Sequence, residues 1–346
     1  MNKVECQEKI ISLIKEKYIR DGKIDRDDVY DILNQFNFTE EDRQKRIKKG
    51  LFGFKSEIID KNIIFEYDYK FIPFLHGEYN EEKVENAVKM YIPVAAEDLK
   101  NVYSKLKDFI KNNNIDSNNK ARNRAACDDI VLRMYDLDSV EKVRNYIKNT
   151  PEIREKIKFS NPFFAHDEMM IGYSMDGIRT SVNGELSSLL AYYVKNNVNT
   201  ASRDGFKQYL RNQRTEFYRM TNAPLFSSGG VNESTKVNNL LEMSMDEDFD
   251  YKKMTYYADM MQNHKEELSK MRIDDVVFNA YKDLSKRFSK DASISLVANC
   301  GALKEEYFTS PLYYILAKTY LTTDLVLDTF AKIKYEDLGN EKKSYK

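Results

Sequence analysis

Three groups of residues in this 346-residue chain have types and spacings that suit chemistry. The first is a run of cations, Arg43, Lys45, Arg46, Lys48, Lys49 and Lys55, with no acidic residue between Asp42 and Glu57. On a helix lying in a nucleic-acid groove, arginine reads guanine edges and lysines hold phosphates. The second is the segment SRDGFKQYLRNQRTEFYRM. At about 100° per residue, Arg203, Lys207, Arg211 and Arg214 fall within one narrow arc, while Phe206, Leu210 and Phe217 form the adjacent one. Ten of the chain's 16 arginines lie between Arg122 and Arg219, among them Arg124, Arg133 and Arg179. Arginine in place of lysine favours a planar, bidentate grip on phosphate or carboxylate. The rival use of this arc is internal ion pairing, for which Asp128, Asp129, Glu185 and Glu216 are near in sequence.

The third group is His166, Asp167 and Glu168, close to Arg179. A histidine beside carboxylates suits proton transfer or a metal. A metal-dependent phosphohydrolase of the His-Asp type needs further histidines, and the chain holds two others, His76 and His264. The triplet therefore reads as a polar loop before a strand, and no metal or other cofactor is expected. Gly229-Gly230 in FSSGGVNEST lacks the Lys-Ser/Thr of a P-loop. The acidic run MDEDFD, with Asp246, Glu247, Asp248 and Asp250, lacks the glycine and terminal glutamate of a calcium loop and reads as the approach to a helix N-terminus. Cys300 has no histidine at readable spacing and reads as a small buried residue.

The elements that must position these groups follow from periodicity. Val4, Ile11, Ile14 and Tyr18 predict a first helix ending at Asp21-Gly22. Asp25 caps a second, with Val29, Ile32, Leu33 and Phe36 on its apolar face. Thr39 opens a third helix that ends near Gly50 and carries the first cationic run. From Glu57 to Phe71, β-branched and aromatic residues around Lys61-Asn62 predict a β-hairpin. Three helices and a hairpin give a winged-helix-like module over 1–75. A helical connector at 76–119, with helices near 81–91 and 95–112, ends in the polar run NNNIDSNN, the expected domain boundary. A mainly helical domain at 120–346 then follows. Its helices are expected near 120–135, 138–149, 184–195, 203–220, 250–270, 273–288 and 311–334. Asp176-Gly177 supplies a type I′ turn for one β-hairpin near 169–182. The expected fold class is thus mainly α, a reading that the low Gly and Pro counts support.

The formal charge of −1 excludes a basic field over the whole chain, so any phosphate-binding surface must be local. The N-terminus lacks a secretory leader, no apolar run reaches membrane-spanning length, and the three cysteines are widely spaced. A cytoplasmic protein without a membrane partner is the expectation. The favoured function is a non-enzymatic binding protein that engages nucleic acid or its phosphate backbone through the cations at 43–49 and the Arg203 to Arg214 stripe. A protein-protein adaptor or inhibitor, meeting an acidic partner surface, is the alternative. The third reading is an enzyme with its site near His166 and Arg179.

Overall fold

The computed structural model describes residues 2–36, 41, 57–58, 71–77, 87–95, 97–122, 129–175, 181–210, 240–255 and 258. The chain divides into two compact units, Met1–Lys207 with Ser244–Gln262, and Gln208–Met243 with Asn263–Lys346. Nearly all of the described residues belong to the first.

Helix α1 runs over Lys3–Asp21, where Asn2 and Glu5 exchange the two hydrogen bonds of a capping box. It stops at Gly22, whose φ of 67° closes the last turn in the left-handed region that a Cβ disfavours. Asp25 and Asp28 form a second capping box for α2, Arg26–Gln35. Both helices occupy the stretches that periodicity assigns to them. The cationic third helix, at 39–50, lies outside the described residues.

Beyond this point the architecture is mixed α/β, which corrects the mainly α expectation. The elements are β1 (Glu57–Ile58), β2 (Phe71–His76), β3 (Val88–Ile92), α3 (Leu99–Asn112), β4 (Ser117–Arg122), β5 (Ile130–Met134), α4 (Leu137–Asn149), α5 (Pro151–Arg154), β6 (Ala165–His166), β7 (Gly172–Ser174) and α6 (Val182–Asn196). All seven strands join one sheet in the order β1-β2-β4-β5-β3-β7-β6. Six of them are antiparallel neighbours, and β1 adds to the β2 edge in parallel. Glu57 is opposite Phe74 and Ile58 opposite Leu75, a parallel pairing that the sequence pattern does not anticipate, while the turn and second strand of the hairpin expected over 57–71 lie outside the described residues.

Each misread strand has a physical cause. All five residues of β3 are buried, as are Ile130, Val131, Leu132 and Met134 of β5. Strands covered on both faces lose the period-2 alternation and look like buried helix. The expected linker fails in the opposite way. Asn113 and Asn114 end α3, the latter at φ 49°, and Ser117–Arg122 then pairs along the whole of β2. Asn119 is fully buried: its amide donates to Ser117 Oγ at 2.8 Å and its Oδ1 accepts from the Arg133 N–H at 3.2 Å. Polar residues here complete the sheet rather than solvate a tether. A hairpin that the sequence does not signal is β6–β7, turning at 167–171, while the Asp176-Gly177 turn of the expected hairpin lies outside the described residues.

Helices α3 and α4 pack beside each other and against β2 and β5. Leu99, Val102, Tyr103, Leu106 and Ile110 form the buried stripe of α3, and Phe109 stacks on Tyr146 of α4 with ring centroids 4.0 Å apart. Helices α1, α2 and α6 form a separate cluster. A polar knot ties α1 to distant chain. Gln7, fully buried, donates to the carbonyls of Pro162 at 2.8 Å and Met245 at 3.3 Å, and accepts from Arg203 Nε at 2.7 Å. Lys3 donates to the Asp246 carbonyl at 3.2 Å.

Burial lowers the Lys3 pKa from 10.5 to about 7, against the attraction of Asp246. The unfolded chain therefore binds a proton that the fold does not hold between about pH 7 and 10.5, and stability gains across that window as pH rises. Lys3→Met is expected to melt above the native chain at pH 6, with the gap closing as the pH approaches 10.5. Parallel melting curves for the two proteins across this range would show that Lys3 carries its charge in the fold at no cost.

Candidate functional site

Of the two cationic groups singled out in the sequence, Arg43, Lys45, Arg46, Lys48 and Lys49 lie outside the described residues, as do Arg211 and Arg214. Arg203 and Lys207 are described, and residues 203–210 are helical. Phe206 and Leu210 are buried, as their arc predicts. The cations beside them are engaged within the fold. Arg203 donates to Gln7, to the Met245 carbonyl at 2.9 Å and to Asp204 at 2.7 Å, and its side chain is 13% exposed. Lys207 pairs with Asp246. None of these partners is among the four carboxylates that proximity in sequence suggested.

The third group sits at the wall of a cleft of about 470 Å³ lined by Arg144, Lys148, His166, Asp167, Glu168, Asp250, Tyr251 and Lys252. Its centre is Arg144. Asp136 caps α4 by accepting from the Ser139 N–H at 2.7 Å, so the helix begins at Leu137, beside the start expected near 138. The buried stripe of the helix is then Val140, Val143, Arg144 and Ile147, with an arginine at an apolar position. The guanidinium lies 4.2 Å from the centroid of the Tyr251 ring, a cation–π contact that also limits its rotamers. Its Nη2 donates to Glu168 at 2.5 and 2.6 Å, and its Nε lies 3.5 Å from Asp167 Oδ2.

Asp167 is the buried anchor of this arrangement. Oδ1 accepts from the N–H groups of Met169 at 2.9 Å and Ile171 at 3.1 Å, and Oδ2 accepts from the Tyr173 hydroxyl at 2.8 Å. These bonds hold the β6–β7 turn, in which Met170 adopts φ 67° with its side chain outward. Burial raises the Asp167 pKa, with the hydrogen bonds and Arg144 opposing it. The neighbouring Glu168 points the other way. Its side chain is 49% exposed and bridges Arg144 and Lys148, the latter at 2.9 Å. Partial burial pushes its pKa up, but the bonds from Lys148, from backbone and from Arg144 outweigh this and hold it at about 2.

His166 does not act with these carboxylates. Its ring lies 4.7 Å from Phe159, and neither ring nitrogen reaches solvent or a partner of good hydrogen-bond geometry. Burial, followed by the charge of Lys3, holds its pKa well below 6.5, so the imidazole is neutral. Among the described residues, no group of three His, Cys, Asp or Glu side chains has the arrangement to hold a metal ion. On the opposite wall, Asp250 Oδ1 caps a helical turn by accepting from the N–H groups of Lys252 and Lys253 at 3.0 and 3.1 Å. The acidic run is thus a helix approach, as its composition suggests, and it sets Tyr251 over Arg144. The sequence reading missed Arg144, Lys148, Tyr251 and Tyr173. A legible signal existed for one of them, the arginine within the Val140, Val143, Ile147 stripe.

Three variants test this anatomy. Asp167→Ala strands a hydroxyl, two N–H groups and part of a buried guanidinium, and is expected to cost on the order of 3 to 5 kcal/mol in urea unfolding. Asp167→Asn, which keeps an acceptor for both N–H groups, should cost less. A loss below about 1 kcal/mol for the alanine variant would deny the carboxylate its anchoring role. Reversing both Arg203 and Lys207 to Glu is expected to lose on the order of 3 to 5 kcal/mol, because a carboxylate at 203 faces the acceptor oxygens of Gln7 and Met245 and one at 207 faces Asp246. An unchanged melting temperature for that double variant would return this face to solvent.

No helix among the described residues is long and apolar enough to cross a membrane. No protein-family model matches the chain, and neither a curated protein nor a solved structure matches it.

Proposed function

We propose that the chain is a binding protein that receives a small anionic ligand in the cleft between α4, the β6–β7 turn and residues 250–252. The observation that carries this reading is the convergence of Arg144, Lys148 and Lys252 on one cleft, with Arg144 held in place over Tyr251. A fixed guanidinium fork is suited to carboxylate or phosphate oxygens and loses little side-chain entropy on binding them. The cleft volume of about 470 Å³ suits a small molecule or a single anionic group rather than a duplex. The phosphate chemistry suggested by the arginine bias is better supported here than at the helical stripe, whose described cations already have internal partners. Binding is favoured over catalysis because the polar groups nearest the cleft floor are occupied or enclosed. Asp167 accepts three hydrogen bonds, and the nitrogens of His166 are shut away.

Titration calorimetry with inorganic phosphate, succinate and a neutral sugar tests the reading. Both anions should bind with affinities that fall as salt is added, and the sugar should not. Lys252 is exposed at the cleft mouth, so Lys252→Ala should leave folding intact and weaken anion binding by about 1 kcal/mol, roughly fivefold. Absence of heat with either anion at millimolar concentration, or equal binding of the sugar, would sink the proposal.

A further inference from the structure

The pairing of Arg144 is lopsided. Its side chain is 7% exposed, whereas that of Glu168, its bidentate acceptor, is 49% exposed. A buried cation is ordinarily matched by a buried anion, because both must exchange water for each other. Asp167, whose side chain is fully enclosed, meets that requirement from behind. Glu168 instead reaches the guanidinium from the solvent side, and it holds Lys148 with the same carboxylate. A single carboxylate across one buried arginine and one surface lysine occupies the position that an external anion would take. Its backbone need not move to leave. The turn is held by the bonds of Asp167 to Met169 and Ile171, so a side-chain rotation alone takes Glu168 into solvent.

Resting on the anion-binding reading above, we infer that Glu168 is a tethered stand-in for the ligand, and that the ligand displacing it is a dianionic phosphate monoester. The tether decides the ligand class. A carboxylate fixed to the adjoining turn acts at an effective concentration of millimolar or more, so a free monocarboxylate that makes the same two contacts competes poorly. A phosphate monoester brings a second charge and a third oxygen. It replaces both contacts of Glu168 and adds Lys252, which lines the same cleft. Glu168 is ionised at neutral pH, so the stand-in is always charged when the ligand arrives.

The test is calorimetric titration of the native chain and Glu168→Gln with acetate, inorganic phosphate and glycerol phosphate. The native chain should bind the two phosphates and not measurably bind acetate. Glu168→Gln should bind the phosphates about tenfold tighter or better and should gain detectable acetate binding. Adding Lys148→Met to that variant should remove most of the gain. If the native chain binds phosphate and Glu168→Gln binds it no more tightly, the stand-in role is overturned while the anion site itself remains. Acetate binding the native chain as well as phosphate does would overturn the dianion assignment. If neither protein binds any of the three anions, the anion-binding reading fails and this inference with it. Should Glu168→Gln not fold, Glu168→Asp keeps the charge but shortens the reach to Arg144. Tighter phosphate binding by that variant supports the inference, and unchanged binding overturns it.

Discussion

Taking a guanidinium out of water is costly, and at Arg144 three separate parts of the first unit meet to offset that cost. An arginine on the buried stripe of α4 needs replacement partners for its lost hydration. Asp167 supplies charge from behind, Tyr251 an aromatic face, and Glu168 the outer acceptor. Each of these has its own requirement. Asp167 must be buried to reach the arginine, which calls for the Tyr173 hydroxyl and the two N–H groups of the turn. Tyr251 must sit in the first turn of its helix, which Asp250 caps. The hairpin β6–β7, the middle of α4 and the helical turn at 251–255 are therefore mutually constrained through one side chain.

How much of this was legible depends on whether the relevant partner lies nearby in sequence. The caps of α1 and α2 are three-residue patterns, Asn2 with Glu5 and Asp25 with Asp28, and the spans of those helices could be read directly. α6 over Val182–Asn196 was similarly readable from its apolar run. The sheet was not. β3 and β5 are buried on both sides and lack alternation, while β4 is so polar that it resembles a tether, and all three acquire their identity from pairing with one another or with β2. A periodicity argument sees one strand at a time and cannot register a partner.

The candidate site divides along the same line. His166, Asp167 and Glu168 stood out because they are adjacent, yet adjacency suggested a shared chemistry that the fold does not build. Successive residues of a strand and its turn face different surroundings, so His166 packs on Phe159, Asp167 turns inward and Glu168 faces solvent. The groups that complete the cleft come from helix α4 and from residues some eighty positions further on, where nothing local marks Tyr251 as the ring beneath an arginine. The helical stripe shows the same limit. The angular placement of Arg203 and Lys207 beside Phe206 was readable, but Arg203 meets Gln7 across 196 residues.

The order of strands in the sheet bears on how the molecule behaves among copies of itself. The long pairings lie inside, between β2 and β4 and between β3 and β5, whereas the outermost strands among the described residues, β1 and β6, have two residues each. At the β6 edge, whose flanking residues are also described, a strand that short presents few free backbone donors and acceptors to another chain. The apolar runs of β3 and β5, which in isolation have the character of aggregation-prone segments, are flanked on both sides by partners. The hazardous sequence is kept at the centre of the sheet, where its backbone groups are already paired.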